Sequence, residues 1–501
     1  MKRDIKALSA SQFDLLIIGA GIHGVAAAWA AARRGLSVAL IEKEDFGGAT
    51  SANSLKVIHG GLRYLQHLNI RRMRESISAR ARFLRMAPEL VVPRSFLMPT
   101  FGTGTRSKLV MKIAMGMNDI ISADRNNGVR ADRRLPNCYV ISRGELFKNL
   151  PQLDRPEFTG AAVWHDGFAE NTDRLNLAFV LTAANAGAVV ANYVRAEKLV
   201  VENRIATGVE AVDALSGAQI TIRARQIINA AGPWFHTVKP ELQRTWVKAY
   251  NLIVRKKWFG EFGLALESAS DFHDPDAVVQ RGKRNLFFVP WRDGTMIGTQ
   301  YRFFPDDPDK RGITADEIAE FVREVNLMYP ALDLKNEDVT LVHIGIMPAL
   351  PGAAANAQPD KHSDIIDHEK AGGPRGLISI KGVKYTTGLS VGEDAAMLAS
   401  EKLGRTWREL ADELTGAEMP KTTKEKIVAD EIVHAVRDEM ACKLADVILR
   451  RTALGSFEFP GDAVLKSCAD IMGRELGWDG KKIDAEIEDT RRIYRMHGLF
   501  S

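Results

Sequence analysis

The period of the apolar residues changes several times along the chain, and each change marks an element. Residues 15–18 form a short apolar run and 36–41 a run broken only by Ser37; both predict buried strands, and the alanine-rich stretch between them predicts a helix. Between 69 and 86, Ile70, Met73, Ile77, Ala81 and Leu84 recur every third or fourth position among six arginines, which predicts a helix with one apolar stripe and a basic remainder. Pro88, Pro93 and Pro99 then break the chain, and residues 108–121 form a second apolar, methionine-rich stretch. A helix is predicted over 172–186, a strand over 187–191, and a meander from the runs at 198–201, 205–212 and 219–222. The apolar run 226–229 reads as a strand ending in Ala230-Ala231-Gly232-Pro233-Trp234. Runs 286–291 and 296–299 pair across Arg292-Asp293-Gly294, a hairpin signal, and a helix is expected over 314–328. Residues 401–501 read as helical, with Ile432, Val436, Met440, Leu444 and Ile448 forming one core stripe.

The stretch from Phe13 to Glu42 organises the rest. Its first strand runs into Gly19-Ala20-Gly21-Ile22-His23-Gly24, and its second strand ends on Glu42. Gly19 permits the tight turn, Gly21 lets a pyrophosphate approach the backbone, and Gly24 lets the helix lie close to the sheet. The helix N-terminus offers free N–H groups to phosphates, and Glu42 is placed to accept hydrogen bonds from a ribose. Strand, glycine triplet, helix, strand and terminal acid together predict a dinucleotide site, without separating FAD from NAD.

Charge and length narrow the picture. A chain of 501 residues is expected to form more than one core. The net charge of +5 suits an anionic cofactor, an anionic substrate or a membrane surface, and is too diffuse to argue for nucleic acid. Cys138, Cys442 and Cys468 have neither metal-type nor disulfide-type spacing, so no metal site is expected and a reducing compartment is. No signal peptide or membrane span is read from the sequence, which places the protein in the cytoplasm, peripheral at most on the inner face of the membrane. The basic helix at 69–86 suggests either contact with anionic lipid or a domain-packing helix with a solvated arginine face.

After Glu42 the sequence KEDFGGATSANSLKVIHGGLRYLQH reads as a donor-rich loop. Ser51, Asn53 and Ser54 could meet phosphate oxygens, and Lys56, His59, Arg63 and Tyr64 surround Gly60-Gly61, where a flat ring could lie against the backbone. This segment, joined to GAGIHG, resembles the FAD-dependent glycerol-3-phosphate dehydrogenases, within the D-amino-acid-oxidase-like flavoproteins. The resemblance extends to Gln226–Trp234, with Ala231 where threonine is usual, to ISIKGVKYTTG at 378–388, and to the helical tail.

That resemblance implies an α/β fold. It divides into a Rossmann-like FAD-binding domain (residues 1–85, 140–245 and 345–400), an antiparallel-sheet substrate or cap domain (86–139 and 246–344) and a helical C-terminal domain (401–501). It implies FAD held by Gly19, Gly21, Gly24, Glu42, Ser51, Ser54, Lys56, His59, Ala231, Gly232, Gly382, Lys384, Thr386 and Thr387. It also implies oxidation of glycerol 3-phosphate to dihydroxyacetone phosphate by hydride transfer to flavin N5, with electrons passed to a quinone-type acceptor. His59 and Lys384 are expected beside the flavin, Arg63 and Tyr64 on the substrate, and His343 is a weaker candidate base. Residues 108–121 are implied in membrane association and quinone access, and the tail in a structural role with an oligomer possible.

Three departures bear on the substrate. Met347 stands where the family has a phosphate-binding arginine, and methionine has no donor. Residues 248–255 lack the usual Lys-Gly-Ser-His pattern, and an acidic residue is missing near Gly298-Thr299-Gln300-Tyr301. Arg292 or Arg302 is then expected to supply the clamp. Otherwise the substrate is a different polyol, hydroxy acid or amine. A flavin-binding protein without turnover is a third reading, against which His59, Arg63, Tyr64 and Lys384 all stand.

Overall fold

The computed structural model describes every residue except 154, 235–244, 270–283, 351–356, 423–425 and 500–501, and the parts of the expected domains that fall there lie outside the described residues. Two sheets carry the chain. The first has the order Asp364–Asp367, Leu377–Lys381, Gln219–Asn229, Gln12–Ile18, Val38–Ile41, Val189–Ala191. All neighbours from Leu377–Lys381 onward are parallel, and Asp364–Asp367 closes one edge antiparallel. Parallel strands are buried on both faces, which is why Gln12–Ile18 and Val38–Ile41 read as nearly unbroken apolar runs.

Gln219–Asn229 is one strand, where the sequence pattern suggested two. Its first half pairs antiparallel with Ile205–Asp213, and its second half runs parallel to Gln12–Ile18 and Leu377–Lys381. The alternating half, with Ile222 and Ala224 buried, passes into the apolar half without a glycine or proline to break it. Helix Ile22–Ala32 packs between the helices Thr172–Asn185 and Gly388–Lys402. Its alanines are wholly buried, and a Cβ on Gly392 of the facing helix would lie 2.4 Å from the His23 carbonyl. Small residues on both helices permit that approach.

The second sheet runs Val339–Pro348, Trp246–Val254, Gly294–Phe304, Asn285–Trp291, Gly263–Glu267, Val91–Thr100, Gly160–Ala169, Val57–Ile58, with Tyr139–Ser142 beside Gly160–Ala169. Gly160–Ala169 was expected in the nucleotide-binding part. It pairs along its whole length with Val91–Thr100 instead, and every residue of it is buried.

The arginines of helix Ile70–Met86 are largely engaged within the chain. Arg80 pairs with Asp166, Arg82 with Asp412 and Glu393, Arg74 with Asp124, Arg85 with Asp412 and Arg71 with Glu75, while Arg72 donates to the Lys361 carbonyl. The packing reading accounts for this helix.

The tail holds the helices Ala429–Glu439, Asp462–Leu476 and Gly480–Met496, with a wide helical turn over Asp446–Arg451. The five-residue stripe is therefore divided. Met440 adopts φ 60° and ends the first helix, so Leu444 and Ile448 reach the same core from the next segment. Among the described residues, 405–428 contain no helix. The tail is fastened to the first sheet by a buried charge cluster. Asp45 accepts from Arg450 Nε at 2.6 Å and from Arg451 Nη1 and Nη2 at 2.7 and 2.9 Å. Arg450 also reaches Asp446 at 2.7 Å, and Asp446 accepts from the Tyr193 hydroxyl at 2.6 Å.

Candidate functional site

A cavity of about 910 Å³ opens at the carboxyl ends of the first sheet and extends onto the face of the second. This lies at the top of the allowed range for small-molecule and cofactor sites. Glu42 follows Val38–Ile41 and Lys384 follows Leu377–Lys381, three strand spacings apart in the sheet order, so they flank a span on the order of 15 Å. The cleft therefore suits an extended ligand laid across the strand ends, with the helix N-terminus near its middle.

The glycine turn is built for close approach. Gly19 has φ +97°, and a Cβ on Gly24 would sit 1.8 Å from the Gly19 carbonyl oxygen. Gly24 does not line the cavity; it sets how tightly the turn folds. Gly21 caps the helix without a side chain, and Ser51 Oγ accepts the Ile22 N–H at 2.9 Å. Glu42 accepts from the N–H groups of Ala20 at 2.7 Å and Glu44 at 3.0 Å. A carboxylate has about four acceptor sites, so it holds the turn and keeps capacity for a hydroxyl. Ala231, Gly232, Ser54, Gly382 and Thr386 also line the cavity, whereas Thr387 does not. Gly382 is backed by His23, whose ring would lie 2.3 Å from a Cβ there. The Nε2 of His23 is buried without a partner among the described residues, and burial pushes its imidazole down to about 4. Lys56 borders the cavity, but its ammonium donates inward to Thr172 Oγ1 at 2.7 Å and the Ala52 carbonyl at 3.0 Å, tying the loop to its floor.

At the other end the expected catalytic residues share one wall. His59 lines the cavity with 44% of its side chain exposed, its Nδ1 lies 3.6 Å from Asp166, and its backbone N–H donates to Thr386 Oγ1 at 3.2 Å. Asp166 is buried, and it accepts from the Gly60 N–H at 2.6 Å, from Trp164 Nε1 at 3.1 Å and from Arg80. Burial would raise the Asp166 carboxyl, yet the neighbouring His59 imidazole and the charge of Arg80 hold it below the usual range. Gly60 serves a purpose other than ring approach. It is absent from the cavity wall, and a Cβ there would lie 2.1 Å from Arg80 Nη1. Asp166, Arg80 and Trp164 were not anticipated, because nothing local in sequence joins them to His59.

Lys384 lies 4.4 Å above the Tyr64 ring, and burial together with the neighbouring Arg63 pushes its ammonium down to about 8. Among the described residues, neither Lys384 nor Arg63 has a carboxylate partner, and both face the cavity. Other cations that line the cavity pair with carboxylates, among them Arg106 with Glu267 at 3.2 Å, Arg284 with Glu324 at 3.7 Å and Lys381 with Asp360 at 2.9 Å. Arg292 and Arg302 do not supply the expected clamp. Arg292 donates to the Ala453 carbonyl at 2.6 Å, Arg302 pairs with Glu320, and neither lines the cavity. Met347 does line it, on a strand in register with Val247. His343 is packed edge-on against Trp291 with Nε2 at 3.3 Å from the Ser456 carbonyl, away from the cavity.

Known proteins resemble this chain over most of its length. A family described as FAD dependent oxidoreductase matches residues 14–396, and one described as the C-terminal domain of alpha-glycerophosphate oxidase matches 379–483. The chain is 29% identical to a glycerol-3-phosphate dehydrogenase of a Synechocystis species, over 97% of each chain. It is 28% identical to the mitochondrial glycerol-3-phosphate dehydrogenase of Bos taurus, over 96% of this chain and 73% of that one. Its fold matches the glycerol-3-phosphate dehydrogenase of Bacillus halodurans complexed with FAD with a TM-score of 0.75 at 22% identity, covering 99% of this chain and 98% of that one.

Proposed function

The chain belongs to the FAD dependent oxidoreductase family, and from that premise we propose that it oxidises glycerol 3-phosphate to dihydroxyacetone phosphate and passes the electrons to a quinone-type acceptor. FAD is its cofactor, and the glycine turn, Glu42 and the long cleft are compatible with its two halves. When bound, FAD supplies acceptance of a hydride from the carbinol carbon. The observation that carries the reading is one wall holding both a carboxylate-oriented histidine and two cations without carboxylate partners. His59 takes the hydroxyl proton, and buried Asp166 stabilises the imidazolium that results. Lys384 and Arg63 hold the substrate anion, and the Tyr64 ring face positions the Lys384 ammonium.

The test is anaerobic mixing of the holoenzyme with sn-glycerol 3-phosphate while the visible flavin band is followed. Bleaching is expected at sub-millimolar donor near pH 7. Lys384 is charged below about 8 and neutral above it, so the apparent donor affinity weakens as pH rises through that value. Lys384→Met should remove this dependence. A flavin that dithionite reduces and glycerol 3-phosphate does not would reject this substrate. Met347 favours that second reading, a related FAD-dependent dehydrogenase or oxidase acting on a different polyol, hydroxy acid or amine.

The helix Lys108–Ile121 supports contact with a membrane surface. Met111 and Met115 face inward, while Leu109, Ile113, Met117 and Ile120 are exposed beside Lys108 and Lys112. An amphipathic helix of this kind lies in the interface, and no helix among the described residues is long and apolar enough to cross a membrane. Ile113 and Met117 also border the cavity, so the same face adjoins the path of an apolar acceptor. The double variant Leu109→Asp, Ile120→Asp, both exposed and off the cavity wall, is expected to lose co-sedimentation with phospholipid vesicles and to keep flavin reduction unchanged. Undiminished sedimentation would rule this surface out.

A further inference from the structure

Three segments that are distant in sequence meet at the rim of the cavity beside Glu42. Lys43 and Glu44 follow strand Val38–Ile41 of the first sheet, and Trp234 follows Gln219–Asn229. Asp309 and Arg311 belong to the second body, between strand Gly294–Phe304 and helix Ala315–Met328. Lys43 pairs with Asp309, and Arg311 pairs with Glu44 at 2.9 Å. The Trp234 indole sits between the two pairs. Its N–H donates to Asp309 at 2.8 Å, the Lys43 ammonium lies 3.9 Å from its ring centre and the Arg311 guanidinium 5.2 Å. Two cations and two anions balance, so the cluster is no anion receptor in its own right. Glu42, Lys43, Glu44, Trp234 and Asp309 all line the cavity.

We infer that this cluster is a clasp joining the two bodies across the end of the cleft where the adenosine half of FAD lies, and that it sets how slowly FAD leaves. The inference rests on the assignment of this cavity to FAD. A ligand spread over the strand ends of one sheet is released by lifting away from that sheet, and the clasp holds the second body over that exit. Asp309 keeps 59% of its side chain exposed, so the pairs are individually weak and open to screening by salt. The clasp is therefore a kinetic hold that ionic strength loosens. It contributes to retention without touching the reacting carbon.

The experiment is dilution of the holoprotein and measurement of the rise in free-flavin fluorescence. Asp309→Asn should release FAD roughly threefold to tenfold faster than the unaltered protein, and the charge swap Lys43→Asp with Asp309→Lys should recover most of the slow release. In the unaltered protein, release should accelerate from about 0.1 M to about 1 M salt, as the screening length falls from about 10 Å to about 3 Å. This second measurement decides the matter if the variants do not fold. Release that ignores both Asp309→Asn and salt overturns the clasp. Gly21→Glu, which places a carboxylate where the pyrophosphate is expected, serves as the control. Loss of FAD there, with release from Asp309→Asn unchanged, overturns the clasp and leaves the cofactor assignment standing.

Discussion

Replacing His59 by glutamine slows anaerobic reduction of the flavin by its donor by roughly 10²- to 10⁴-fold, the range that a positioned general base contributes. Glutamine keeps the size and a hydrogen-bonding tip but cannot take up the proton of the donor hydroxyl. The visible flavin spectrum should be retained, because the side chain is held by Asp166 and the backbone by Thr386, neither of which the change removes. Donor affinity should change little, since Arg63 and Lys384 remain. Asp166→Asn separates orientation from chemistry. It leaves the base present, lowers the rate less, and leaves buried Arg80 without its counter-charge. Stopped-flow reduction and a melting curve on the two variants give opposite rankings if the roles are as assigned. A His59→Gln protein that is reduced within about threefold of the normal rate would move the base elsewhere on the wall.

Asp45→Ala is expected to cost about 3–5 kcal/mol of stability, the cost of leaving a buried charge unpaired. Two guanidinium groups converge on this carboxylate, and both sit with it in the interior. Burial alone would raise the Asp45 carboxyl, but Arg451 and Arg450 outweigh it and hold the group far below its ordinary range. The sign of the pH effect follows. A depressed carboxyl contributes stability that is complete above its unfolded value and is lost as pH falls below it. Denaturant titrations should therefore show the Asp45→Ala difference in full near neutrality and a shrinking difference in acid. A loss of under about 1 kcal/mol would mean that water or another group compensates the arginines. The loss should extend to FAD affinity, because Gly47, two residues on, donates its N–H to the Ala20 carbonyl inside the glycine turn.

The legible parts of this molecule are the local ones. Gly19, Gly21 and Gly24 could be read because their reason lies within a few residues of themselves: a turn, a helix start and a carbonyl that a side chain would strike. The hairpin across Arg292 and Asp293 is local in the same way. The partner of His59 was not legible. Asp166 lies on strand Gly160–Ala169, and only the pairing of that strand with Val57–Ile58 brings the two together. Gly60 looked like a surface for a flat ring, since sequence cannot show that a guanidinium from a later helix needs the same space. The partners of the basic helix were not legible for a related reason. Its arginines look solvated until Asp412, Glu393 and Asp124 are placed beside them. Periodicity also passed over Met440, because a single left-handed residue interrupts a helix while leaving the apolar spacing intact.

The long strand Gln219–Asn229 has a consequence for biosynthesis. Gln12 pairs with Arg223, and Ile228 in turn pairs with Ile378. A chain emerging from the ribosome exposes its first strand long before the neighbour that completes it has been made, at about 5–20 residues per second. The glycine turn is thus translated well before the two strands that complete its sheet on that side, and its edge stays open until they have been made. Non-local pairing of this kind makes folding slow and leaves the nascent edge open to association with other chains.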